Sequence, residues 1–178
     1  GAELKIMTGI ENAVIKVQNV VLIGRAETNP KIKELYDKDV IHLSPEHPGS
    51  DGFIIKTITH NPSFSSADKD YLVIGGSVDR GTLYAVYHLL ERELNVGFFE
   101  DGDRVPEAET IVVNCDIAEK PYFEFRGAMT NGPQSRNAAF WGEKEWKQEI
   151  DWLLKKKCNI MQYMGQRWMV NYARERGM

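Results

Sequence analysis

Cysteine is scarce in this chain. Cys115 and Cys158 are the only two in 178 residues, they stand far apart, and they share no motif. That excludes both a disulfide framework and a cysteine-based zinc site, and the pair reads as free buried thiols. Long apolar runs are also missing. The longest, Val20 to Ile23, is far too short to cross a bilayer. There is no excess of positive charge: 22 Lys and Arg face 26 Asp and Glu, a net charge of −4, which argues against a nucleic-acid partner. The start, "GAELK", lacks an initiator Met and has neither the basic nor the apolar region of a signal peptide. It reads as a trimmed end, so a signal peptide removed earlier would leave a secreted or periplasmic protein. What remains, 42% hydrophobic and 27% charged, is the profile of an ordinary globular chain.

The stretch "DYLVIGGSVDRGTLYAVYHLLERE", residues 70–93, runs from strand-like residues through glycines into a helix, which is the geometry nucleotide-binding proteins use. The spacing does not support that use. A dinucleotide fingerprint needs G-x-G-x-x-G, and the glycines here are Gly75, Gly76 and Gly81. Gly76 and Gly81 have the spacing of a phosphate loop, but the lysine that should follow is Thr82. The turn is better explained as a strand end with Asp79 or Thr82 capping a helix. Leu83, Val86, Tyr87, Leu90 and Leu94 predict one apolar stripe on a helix over 81–94, with Tyr84 and His88 beside it. Asn95 and Gly97 stop it. His88 has no second ligand at metal spacing, and no metal is expected.

Around this helix the chain alternates. Residues 12–24 read as a strand ending at Gly24, and 29–38 as a short helix with Asn29 as cap and Pro30 at its first position. Residues 44–52 are a Pro- and Gly-dense loop in which Glu46 and His47 are solvated. Residues 53–60 and 71–76 read as a hairpin with a long connection, and 110–115 as a last short strand. The expected fold is α+β: a small mixed sheet with two helices over residues 1–118. From 119 onward the character changes. A linker (118–127) leads to an irregular segment (128–142), a helix (143–157) and a strand (159–165). Trp146, Ile150, Leu153 and Leu154 share one face of that helix. Glu143 and Glu145 suit its N-terminus and Lys155 to Lys157 its C-terminus, without further partners. Strand, loop, helix, strand is the opening of a parallel α/β fold, so residues 119–178 are expected to be a linker, one βα unit and the second strand of an incomplete (β/α)8 barrel.

The segment "VIGGSVDRGTLYAVYHLLERELNVGFFEDGDRVP", 73–106, resembles the small N-terminal domain that precedes the catalytic barrel in several glycoside hydrolases: α-N-acetylglucosaminidases, α-glucuronidases and β-hexosaminidases. "FRG", 125–127, looks like the start of the first barrel strand. "FWGEKEWKQEIDWLLKKKCNI", 140–160, most resembles the α-N-acetylglucosaminidases, with Trp141, Trp146, Ile150, Asp151, Trp152 and Asn159 matching, and "GQRW", 165–168, is similar to that family's "GQE". Arg167 stands where that Glu would be. Asn131 matches the family's pocket Asn, but no Cys follows it.

The resemblance implies a non-catalytic accessory domain with the first piece of a glycosidase barrel. Glycoside hydrolysis needs two carboxylates across the scissile bond, and in such enzymes both lie on later strands. No catalytic residue is therefore assigned in this chain. Glu143, Glu145 and Glu149 are expected on a solvated helix face, Glu100, Asp101 and Asp103 in a turn, and Asp151 in a structural hydrogen bond. Barrel sites form at the C-terminal ends of strands, which selects Asn131, Gln134 and Tyr163 as substrate-binding residues, with Ser135, Arg136, Asn137 and Gln162 beside them. Carbohydrate is the expected partner, through the rest of the barrel, and no cofactor is expected. Two alternatives stay open. One is an α-glucuronidase-like protein using Arg126 or Arg136 on a uronate. The other is a stand-alone carbohydrate-binding or interaction module displaying Tyr71, Phe98 and Phe99. Trp146, Ile150, Leu153, Ile160 and Tyr163 would seek missing barrel neighbours, and such apolar surface favours self-association.

Overall fold

The structure, a computed structural model, describes residues 19–59, 70–107, 112–128, 140–161 and 167–178. Within them the chain is α+β, with a small mixed sheet and four α-helices. It divides into two compact units that interleave along the sequence: residues 1–82 with 114–120, and 83–113 with 121–178.

The first unit is built on a four-stranded sheet. β1 (Asn19–Gly24) runs parallel to β3 (Asp70–Gly76), and β3 is antiparallel to β2 (Phe53–Ile58). The pairing of β2 with β3 is the hairpin the sequence predicts. On the far side of β2 lies a fourth strand, β6 (Asp116–Glu119). The predicted last strand ended at Cys115; among its described residues, 112–115 are not strand. The ladder begins one residue later, at Asp116, and runs into what reads as linker, and Cys115 serves as its lead-in by exchanging hydrogen bonds with Thr57.

Helix α1 (Pro30–Asp37) covers this sheet. Asn29 caps it as expected, its side chain accepting from Lys31 N and Ile32 N and donating to Ile23 O at the end of β1. Ile32 and Leu35 are fully buried and pack with Leu22, Ile54, Tyr71 and Val73. Each aliphatic side chain taken out of water in this way contributes about 1.5–3 kcal/mol.

The glycines between β3 and α2 (Asp79–His88) are explained by close packing. A Cβ on Gly76 would stand 2.0 Å from Thr82 N, and one on Gly81 would stand 2.4 Å from Gly52 O. The N–H groups a phosphate would need are already used: Gly76 N donates to Thr82 Oγ1 at 3.1 Å and Ser77 N to Gly52 O at 2.9 Å. Asp79 at the helix start pairs with Arg25. The buried Asp51 accepts from Arg80 Nε at 2.9 Å.

In the second unit the helix continues from Leu83 and passes at Leu89–Glu93 into a π turn. The predicted stripe is displaced. Leu83, Val86, Tyr87, Leu90 and Leu94 are half-buried, whereas Tyr84, Ala85, His88 and Leu89 are buried. Tyr84 and His88 can occupy the core because their polar tips are satisfied. Tyr84 Oη donates to Cys158 O at 3.1 Å, and His88 Nδ1 lies 2.9 Å from Lys157 Nζ. A short hairpin of β4 (Gly97–Phe99) and β5 (Gly102–Arg104) follows, and Glu46 and His47 of the first unit's loop are exposed as expected.

Helix α3 spans Glu143–Lys155, with Trp146, Ile150, Leu153 and Leu154 all buried as the spacing predicts. Glu145 reaches back to Gly142 N at 2.9 Å. Two of the lysines at its end have the anionic partners that were not expected: Lys155 pairs with Asp103 and Lys156 with Glu91. A further helix, α4 (Arg167–Glu175), follows. Trp146 packs there against Met169, with Trp141 and Trp168 beside it, so it already has the neighbours it was expected to lack. Asp151 staples α3 to α4, accepting from Tyr172 Oη at 2.9 Å and from Arg176 Nε at 2.6 Å.

Candidate functional site

Strands β7 (Gly127–Ala128) and β8 (Ile160–Met161) pair in parallel, joined through α3. Gly127 makes their approach possible, since a Cβ there would lie 2.4 Å from Ile160 O. Arg126 locks the start of the pair. Its backbone N donates to Asn159 Oδ1 at 2.8 Å, its Nε to Lys157 O at 2.8 Å, and its Nη1 to the carbonyls of Phe123 and Glu124. Asn159 completes the clamp by donating from Nδ2 to Glu124 O at 2.7 Å. Asn159 and Arg126, both read from the sequence as family or substrate markers, thus work on the backbone. A guanidinium already donating to three carbonyls has little left for a uronate carboxylate.

The substrate-binding residues read from the sequence, Asn131, Gln134 and Tyr163, lie outside the described residues, as do Ser135, Arg136, Asn137 and Gln162. The described residues give the frame these would extend from: the ends of β7 and β8. A cavity of about 330 Å3 opens against β8 and α4, lined by Ile160, Met161, Met169, Val170, Arg174 and others, none of them acidic. It is apolar with one cationic edge, and nothing in its lining can donate a proton to a glycosidic oxygen.

The carboxyl group with unusual chemistry lies elsewhere. Glu149, on the second turn of α3, is only 3% exposed, and its Oε1 has no hydrogen-bond partner. This overturns the expectation of a solvated face. Burial raises its pKa to about 7, and the Glu100 charge adds to the rise. The Cys158 thiol, near enough for Glu149 to affect it, is likewise pushed up by burial, with Arg126 pulling the other way. A protonated thiol is a poor nucleophile. The sequence carried a signal for Glu149: with Trp146, Ile150 and Leu153 it falls at i, i+3, i+4 and i+7, on the apolar face. A carboxyl poised near neutrality is a common mark of a functional site, but this one is closed to any substrate.

The aromatics proposed for a sugar-binding surface do not form one. Phe98 and Tyr71 are buried and only Phe99 is half-exposed. Exposed aromatics appear instead at Tyr122, Phe123 and Phe125. Among the described residues no cluster of His, Cys, Asp or Glu could hold a metal ion, and no helix is long and apolar enough to cross a membrane. Compared with models of protein families and with curated proteins, the chain matches none.

Proposed function

We propose that this chain is the N-terminal part of an exo-acting glycoside hydrolase of the α-N-acetylglucosaminidase type: an accessory α+β domain followed by the opening of a (β/α)8 barrel. The observation that carries the reading is the parallel pairing of β7 with β8 across α3. It is a βαβ unit, the repeat from which such barrels are made, and it falls where the sequence resembles the first barrel strands. In this reading the loop after β7, with Asn131 and Gln134, and the end of β8, with Tyr163, contribute to the sugar pocket, since barrel sites form at those strand ends. The first unit is structural, its glycine turn packed shut. The α-glucuronidase alternative loses Arg126 to the strand clamp and rests on Arg136 alone.

The test is hydrolysis of aryl α-N-acetylglucosaminide and aryl α-glucuronide by the product of the complete reading frame and by residues 1–178 alone. The expected result is release of phenol from the first substrate by the complete product only. Acid–base help from one carboxylate is worth about 10²–10⁴-fold, so a chain without the pair should show no turnover above buffer. Turnover by residues 1–178 that disappears when one of its own carboxylates is replaced would overturn the proposal.

A further inference from the structure

Glu149 sits where a carboxylate is hardest to keep. Its side chain is 3% exposed, its Oε1 meets no donor, and it forms no ion pair among the described residues. What holds α3 to the β4–β5 hairpin lies alongside it. Gln148 Nε2 donates to Glu100 O at 3.0 Å, Trp152 Nε1 donates to Phe98 O at 3.3 Å, and Lys155 pairs with Asp103. Lys155 also lies over the Phe98 ring, 5.3 Å from its centroid. These attachments fall at 148, 152 and 155, one stripe of the helix, so Glu149 is beside the seam along which the hairpin is fastened.

The charges around the seam leave Glu149 alone. On the hairpin, Asp101 is paired with Arg104 and Asp103 with Lys155, which leaves Glu100 as the charge acting on Glu149, and it has the same sign. On the π turn, Glu91 takes Lys156. Beyond α3, Lys157 faces His88, Cys158 offers a thiol, and Arg126 donates to carbonyls. An ionised Glu149 in this setting is a buried charge with no partner, an arrangement proteins relieve by neutralising the group or by moving it to water.

We propose that Glu149 is a proton-operated latch: with its carboxyl protonated the β4–β5 hairpin closes on α3, and with it ionised the hairpin opens to bring the carboxylate to solvent. The sign follows from linkage. A carboxyl whose affinity for its proton is higher when closed than when open favours the closed form fully below the ordinary carboxyl range, and that preference is lost as pH rises through about 7. Between pH 4.5 and pH 8 the opening equilibrium should grow by about two orders of magnitude.

The experiment uses the whole chain. Amide hydrogen exchange at Phe98 and its neighbours in β4 and β5, corrected for the intrinsic pH dependence of exchange, is followed from pH 4.5 to 8. In parallel, the Glu149 side-chain carboxyl is titrated by carbon-13 NMR. The latch predicts a midpoint near 7 for Glu149 and protection of the hairpin that falls by about a hundredfold over the range. In Glu149→Gln that fall should disappear, while α1 exchanges as before. Should Glu149→Gln not fold, the wild-type titration and protection profile decide by themselves. A midpoint in the ordinary carboxyl range overturns the proposal, and so does hairpin protection that stays constant with pH or that falls equally in Glu149→Gln.

Discussion

The clearest test of the packed glycine turn is Gly76→Ala. The added Cβ would sit 2.0 Å from Thr82 N and 2.2 Å from Gly81 C, where ordinary contact begins at 3.4 Å. Both obstacles are backbone, so no side chain can swing aside, and the start of α2 must retreat by about 1.4 Å to restore ordinary contact. That retreat breaks the bond from Gly76 N to Thr82 Oγ1 and lifts Gly81 off Gly52 O. Overpacking of this kind costs about 1–3 kcal/mol, and a buried N–H left unpaired costs about 1–3 kcal/mol more. The sum, roughly 2–6 kcal/mol, is a large part of the 5–15 kcal/mol by which domains are usually stable. Urea unfolding can separate the two units, because Trp141, Trp146, Trp152 and Trp168 all belong to the second. Gly76→Ala should therefore shift the far-ultraviolet circular dichroism transition of the first unit. Thr82→Val should cost about 1–3 kcal/mol by removing the acceptor alone. Gly142→Ala, where the nearest obstacle is the movable Glu145 carboxylate at 3.3 Å, should stay within about 1 kcal/mol of wild type. A Gly76→Ala protein as stable as Gly142→Ala would refute the packing argument and reopen the turn as a binding loop.

Asn29→Ala should lose about 1 kcal/mol in the first unit through the vacated cap, measured by the same dichroism transition. Arg126→Lys should destabilise the second unit by about 1–3 kcal/mol despite keeping the charge, because an ammonium cannot span the carbonyls of Lys157, Phe123 and Glu124; tryptophan fluorescence during unfolding reports it. Glu149→Leu should make the second unit more stable at pH 8 than wild type by up to about 3 kcal/mol, from the rise of its pKa to about 7. The gain should shrink as pH falls below about 7 and vanish below the ordinary carboxyl range, where wild-type Glu149 is protonated in either state.

Where side-chain type alone decides an element, the sequence was readable. Asn29 and Pro30 mark the start of α1, the β2–β3 hairpin follows its alternating residues, and the apolar spacing of α3 predicts the side chains it buries. Reading fails where a polar group is satisfied by a distant part of the chain. Tyr84 and His88 rank below leucine in hydropathy, yet they hold the core position because the loop after α3 supplies a carbonyl and a lysine to their tips. No local pattern contains that information. The strand at Asp116–Glu119 was hidden for a similar reason. Its burial is slight and its sequence polar, so only the open edge of β2 makes it a strand. Helix α4 did carry a signal, with Trp168, Met169, Tyr172 and Ala173 at i, i+1, i+4 and i+5, but its cover comes from Trp146 on α3.

The same distinction separates the two kinds of residue singled out for function. Asn159 and Asp151 are singled out from the sequence by a family resemblance, and in the structure both hold backbone or helix in place. Their presence in a motif is thus explained by folding, without any contact to a substrate. Glu149 belongs to no motif, yet among the described residues it is a buried carboxyl whose Oε1 the fold leaves without a partner. A carboxyl that costs stability when ionised persists in the core at the expense of a better-packed alternative. For Asn159, then, substitution should be felt in stability at every pH. For Glu149 it should be felt in the pH dependence, and that contrast separates a residue that builds the frame from one that responds to its surroundings.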